Sequence, residues 1–197
     1  TDERVGQPYV MRGYSAPERE PGDQRRAAAL EVLTQLLGGS ATDSHLSDAL
    51  QFDRRIAVQT GASYRGTSLD DTTLRLYVVP RPDVGLEKAE NALDAALARF
   101  RREGPDPARL ERVKTRLYAE EIYARDESSR LARRYGRALT SGLTLPDVAT
   151  WPDLLQSVSR EDVMSAARDL LVAERSVTGR LRASEPAGQP AATEAAQ

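Results

Sequence analysis

Apolar and polar residues alternate along several short segments of the chain, and a period of two indicates a strand with one face toward a core. The clearest case is the segment 55–65, whose even-numbered residues, predicted to face the core, are Ile56, Val58, Thr60, Ala62 and Tyr64. The stretch "TSLDD" joins this segment to 72–80, so we predict an antiparallel pair. Further strands are predicted at 9–14 and 175–181.

Apolar residues recur at spacings of three and four along other segments, which predicts helices. The first helix carries Leu30, Leu33 and Leu37 on one face and meets Gly38 and Gly39. We expect it to end there because glycine supplies a left-handed cap at little cost. All of the predicted helices are 23–39, a short one around 46–50, 85–103, 107–142 with a bend in "ARDESS", 145–158 and 159–171.

Local capping signals fix the starts of two of these helices. Asp106 precedes Pro107, a residue that suits the first turn of a helix. Ser159 and Asp162 have the spacing of a capping box. We expect both helices to begin at these residues.

The order of the elements predicts the fold class. Helices cluster between few strands, and the central pair of strands is antiparallel, which favours an α+β fold with an antiparallel sheet and helices packed on one face. We predict a single domain over 8–182, a linker at 1–7 and a disordered tail at 183–197, which is rich in Ala, Pro, Glu and Gln.

Composition excludes several kinds of function. The 197 residues contain 28 Lys and Arg against 30 Asp and Glu, a net charge of −2 that gives no global attraction for nucleic acid. The absence of cysteine excludes disulfides, thiolate metal sites and a thiol nucleophile. No apolar run reaches the roughly 18 residues that a membrane span needs.

Few residues offer chemistry. His45 is the only histidine, and a zinc site needs three or four ligands, so we predict no metal here and a solvated surface pair with Asp48. Glu120 and Glu121 are adjacent on a helix and point about 100° apart, so they are not expected to converge on one substrate atom. We predict no catalytic residue in this chain.

One stretch of the chain is rich in arginine. Its members are interleaved with Leu131 and Tyr135, which is typical of the exposed side of an amphipathic helix. The alternative is that they meet an acidic partner or a neighbouring domain. The residues are Arg125, Arg130, Arg133, Arg134 and Arg137.

An ordered set of short segments is typical of one family. These segments are "GYSAP", "LLGG", "SHL", "IAVQTGASY", "GPDPARLERVKTRLYAE" and "SREDVMSAARDLLVAERSVTGRL". Together they resemble the C-terminal, zinc-free domain of the pitrilysin/insulinase-type metallopeptidases, including bacterial processing-peptidase-like members. The likeness spans residues 8–182, and the zinc motif H-x-x-E-H occurs nowhere in the chain.

The resemblance implies a role without catalysis. It implies a non-catalytic domain that forms part of a peptide-binding chamber and packs on an N-terminal zinc-bearing domain of the same parent chain, with zinc held there and no cofactor here. In some members an Arg and a Tyr hold the substrate backbone; the matching positions here are Gln51 and Val58, which lack the charged fork and the hydroxyl. A second subunit would then supply that pair.

Two further expectations follow from the same resemblance. Family members of this type are often exported in bacteria, so we expect a periplasmic or exported parent protein. The alternative function is a non-peptidase assembly module of the same fold, similar to the core subunits of respiratory complexes.

Overall fold

Four antiparallel strands form one sheet in the computed structural model, which describes residues 6–124 and 126–182. The order across the sheet is β2-β3-β1-β4. The strands are β1 Tyr9–Ala16, β2 Ala57–Ser63, β3 Thr72–Pro80 and β4 Ser176–Leu181. The predicted antiparallel pairing of β2 with β3 is confirmed, and β2 and β4 form the two edges.

Six α-helices are present in the described residues. The helix predicted over 107–142 is interrupted in the "ARDESS" segment and forms two helices, and the short helix predicted around 46–50 is a π-helix, Ser47–Asp53. Both predicted caps are confirmed, since the side chains of Asp106 and Ser159 accept hydrogen bonds from the first turns that follow them. The helices are α1 Arg25–Gly38, α2 Leu86–Glu103, α3 Pro107–Tyr123, α4 Ser128–Thr140, α5 Leu145–Ser157 and α6 Arg160–Leu170.

The helices form two layers on one face of the sheet. Helices α1, α2 and α6 contact the strands, and α3 and α5 contact α1 from outside. Alternate residues of β1 and β3 face this layer and are buried, among them Val10, Tyr14, Leu74, Leu76 and Val78. The predicted α+β architecture with an antiparallel sheet is therefore confirmed. The predicted disordered tail, and residues 1–5 of the predicted linker, lie outside the described residues.

A buried arginine joins the first strand, the last strand and a helix. Arg12 is 4% exposed, and its Nε donates to Thr178 Oγ1 at 2.9 Å. Its guanidinium also binds two carboxylates of α2, Glu90 at 3.1 Å and Asp94. Arg180 of β4 binds the second oxygen of Glu90 at 2.6 Å. A buried charge is tolerated when it is paired in this way.

The left-handed glycine cap predicted at the end of α1 is wrong. Gly39 has a φ of −73°, and Gly38 is not among the residues with positive φ. The glycines serve close packing instead. A Cβ on Gly38 would lie 2.4 Å from the backbone nitrogen of Ala62 and 2.6 Å from the carbonyl carbon of Gly61, so only glycine lets α1 approach β2 this closely.

The alternation predicted along 55–65 fails at one residue. Ala57 pairs with Pro80 and Gln59 with Val79, so Val58 is an extra residue in β2. This bulge turns Val58 outward and leaves it 48% exposed, whereas Thr60 beyond the bulge is buried. The strand is also shorter than predicted. A single inserted residue shifts the pleat, which the alternation of residue types does not reveal.

Candidate functional site

The two predicted substrate-binding positions lie in the edge strand β2 and in the π-helix that precedes it. Gln51, in the π-helix, is half-buried, and its Nε2 donates to Thr60 Oγ1 at 2.9 Å. Val58 lies at the bulge and is exposed. Gln51 therefore lies against the helix-facing side of β2, while Val58 faces outward.

His45 contacts helix α2 through both a hydrogen bond and its ring. Its Nε2 lies 2.8 Å from the carbonyl oxygen of Ala96, so this nitrogen carries the proton and donates it, and the ring packs edge-on against Phe100 with centroids 5.1 Å apart. Burial lowers the pKa of His45. The predicted surface pair with Asp48 does not form, because Asp48 accepts a hydrogen bond from Arg109 at 2.6 Å.

The side chains of the described residues do not form a zinc-binding site. No group of three or more His, Asp or Glu side chains within residues 6–124 and 126–182 is arranged to hold a metal. Glu120 and Glu121 contact different arginines, Arg116 and Arg134 respectively, so the two carboxylates do not converge. None of the described helices is long and apolar enough to cross a membrane.

The sheet face opposite the helices is open and contains apolar residues. One row across the four strands consists of Gly61, Tyr77, Met11 and Gly179. Tyr77 lies over Gly61, where a Cβ would approach its ring to 2.4 Å. Met11 is 36% exposed, and Val177 in the next row is 78% exposed. No helix among the described residues covers this face, which combines apolar side chains with the exposed polar side chains of Gln59 and Arg75.

An arginine-lined cleft lies on the opposite side of the molecule. The cleft has a volume of about 890 Å³ and lies between α4, the ends of α1 and α3, α5, and the loop 64–69 that follows β2. Six arginines and three glutamates line it. They are Arg19, Arg65, Arg130, Arg133, Arg134, Arg137, Glu31, Glu120 and Glu121.

The inner part of this cleft is built around Arg19. The Arg19 guanidinium stacks on Trp151, 3.7 Å from the ring centroid, and donates to Gln24 Oε1 at 2.7 Å. Burial, and the neighbouring charge of Arg134, lower the pKa of Arg19 to about 10. The sequence shows the arginines of α4, but it gives no signal that Arg19 and Trp151 would join them.

The surface of the domain therefore offers two features, the open sheet face with Met11 and Val177 and the arginine-lined cleft around Arg19. Residues 1–117 match the family model described as the peptidase M16 inactive domain. The chain belongs to this family, and the resemblance predicted from the sequence is confirmed. The comparison with curated proteins finds no match.

Solved structures share the fold. The inactive peptidase domain of a candidate zinc protease from Bordetella parapertussis superposes with a TM-score of 0.81 at 19% identity, covering 94% of this chain and 98% of that one. A protease from Helicobacter pylori gives a TM-score of 0.81 at 21% identity, covering 90% of this chain and 41% of that one. The first half of the periplasmic protease PqqL from Escherichia coli gives a TM-score of 0.75 at 18% identity, covering 93% of this chain and 41% of that one.

The fraction of each relative that this chain covers shows how the fold is used in larger proteins. The chain spans nearly all of the Bordetella domain but less than half of the Helicobacter and Escherichia chains. The same fold therefore occurs as a part of larger proteases.

Proposed function

We propose that this chain is the non-catalytic half of a zinc peptidase, which packs on a zinc-bearing domain of its parent protein and forms one wall of a peptide-binding chamber. The observation that carries the proposal is the open sheet face. Met11 and Val177 are exposed there beside Tyr77, on a domain whose family is named for an inactive peptidase. Exposed apolar side chains on an open sheet face favour a packing surface.

The occupant that we propose for this face is the zinc-bearing domain. More than half of the Helicobacter protease lies outside the part that this chain matches, which leaves room for a domain of similar size. Zinc would be held entirely by that domain. In this proposal the present chain neither supplies zinc ligands nor takes part in the chemistry, which is supported by the lack of a group of three or more His, Asp or Glu side chains that could hold a metal among the described residues.

A peptide substrate would meet this domain at the edge of β2. An extended peptide can add to an edge strand through backbone hydrogen bonds, which tolerates many sequences. Val58 would contact the peptide, and Gln51 would hold the strand in position through Thr60. A second subunit would supply the Arg and Tyr missing here. We also propose a periplasmic or exported parent protein, since PqqL of Escherichia coli, whose first half shares this fold, is a periplasmic protease.

The packing proposal is tested by binding of the zinc-bearing domain of the parent protein to this chain in calorimetric titrations. Met11→Asp combined with Val177→Asp should weaken binding at least about tenfold, because two charges would be buried without partners. Leu145→Asp is the matched control, an exposed apolar residue of α5 on the helix side. Equal affinity for all three proteins would contradict the proposal.

The edge proposal is tested separately with a neutral extended peptide and fluorescence anisotropy. Val58→Lys places a charge on the edge strand and should weaken peptide binding about tenfold, since an edge lysine opposes strand addition. Leu145→Lys should leave binding unchanged. If both variants bind the peptide as the unmodified chain does, β2 is not the binding edge.

A further inference from the structure

Helix α4 presents an excess of positive charge toward the cleft. It contains four arginines and no acidic residue. Arg130 and Arg133 share a single carboxylate, Glu127, at 3.0 and 3.8 Å, and Arg137 makes no ion pair among the described residues. The neighbouring helix turns therefore carry arginines whose charge is only partly balanced.

The inner part of the cleft adds to this excess. Arg19 is 8% exposed, yet its hydrogen bonds go to neutral acceptors, the side chain of Gln24 and the carbonyl oxygen of Asp147. A buried guanidinium whose hydrogen-bond acceptors are neutral, and which lies close to Arg134, is in an environment that favours an added anion.

We propose that this cleft binds an extended polypeptide segment that carries acidic side chains at alternate positions. This site goes beyond the edge-strand function, because neither Gln51 nor Val58 lines the cleft. A carboxylate at each second residue of an extended chain repeats at about 7 Å. From Arg130 to Arg137 the helix rises about 10 Å, so two such carboxylates can each reach an arginine.

The apolar lining favours a peptide over a small anion. Leu69 is exposed in the loop 64–69 that lines the cleft, and Trp151 and Leu155 contribute apolar surface. A volume of about 890 Å³ is large for a phosphate or a single carboxylate. The combination of arginines with leucines fits a segment in which acidic and apolar side chains alternate.

The test uses a fluorescein-labelled peptide of about eight residues with alternating Glu and Leu, and a matched peptide with Lys in place of Glu. Anisotropy with the 197-residue chain should show binding of the acidic peptide, weakening as salt is raised, and about tenfold weaker binding of the basic one. Arg133→Ala combined with Arg137→Ala should weaken binding of the acidic peptide about tenfold. Both residues are exposed, so the fold should persist.

The control removes the same charge elsewhere. Arg101→Ala combined with Arg102→Ala acts on two exposed arginines at the end of α2, outside the cleft, and should leave the affinity within about twofold. An equal loss in this control would show general attraction to the chain and overturn the proposal. Displacement of the peptide by an equimolar amount of tripolyphosphate would identify a small-anion site and overturn it as well.

Discussion

The contact between α1 and β2 makes Gly38 the most sensitive glycine that we identify. In the Gly38→Ala variant the new Cβ would lie 2.4 Å from the nitrogen of Ala62, whereas ordinary van der Waals contact begins at 3.4 Å. The atoms in conflict are backbone, so no side chain can rotate away. Helix α1 must move from β2 by about 1 Å, and overpacking of this kind costs about 3 kcal/mol.

The matched control is Gly136→Ala. Gly136 lies inside α4, and a Cβ there would meet no atom within 4 Å. Alanine has the better helix propensity, so this variant should gain about 0.5–1 kcal/mol. The two substitutions are chemically identical and are predicted to act in opposite directions.

The assay is urea unfolding followed by the fluorescence of Trp151, the only tryptophan of the chain, which is buried. For a protein of this size, about 3 kcal/mol corresponds to a fall in Tm of about 6–12 °C. The slope of free energy against urea should stay the same for all three proteins. A free energy of unfolding for Gly38→Ala within about 1 kcal/mol of the unmodified chain would refute the reasoning.

Two further predictions follow from buried charge and from the buried imidazole. Arg12→Ala leaves Glu90 without its buried partner and should reduce the free energy of unfolding, measured in urea titrations, by about 3 kcal/mol. Arg130→Ala, which removes an exposed ion pair, should reduce it by less than about 1 kcal/mol. Equal losses for the two variants would contradict this prediction. His45 should titrate in NMR below its ordinary pKa of 6.5. As the pH drops below 6.5 the unfolded chain takes up the proton before the folded chain does, so the stability of the fold decreases. His45→Gln should remove this part of the pH dependence. A His45 titration midpoint at or above 6.5 would be inconsistent with burial of the ring.

Local signals in the sequence were sufficient for most elements of the fold. The alternation along 72–80 and the capping residues Asp106 and Ser159 depend on neighbours a few residues away, and each of these predictions is confirmed. The bulge at Val58 depends on the register against β3, and the role of Gly38 depends on how closely β2 approaches. Both are tertiary effects, which residue types alone do not encode.

In the candidate sites, too, some features can be predicted from the sequence and others depend on the tertiary structure. The absence of a zinc motif and the arginines of α4 are visible in the sequence. The stack of Arg19 on Trp151 joins residues far apart in the chain, and the ion pairs of Arg12 join β1 to a helix that begins at Leu86. Nothing in the local pattern around Arg12 distinguishes it from a solvent-exposed arginine of a strand.

The double use of Glu90 has a consequence for the history of this domain. One carboxylate binds Arg12 through one oxygen and Arg180 through the other. Its loss would leave Arg12 paired with Asp94 alone and Arg180 with no ion pair among the described residues. Positions 90 and 180 should accordingly vary together among related sequences, and a lineage that lost the acid at position 90 is expected to have lost the arginine at position 180 as well.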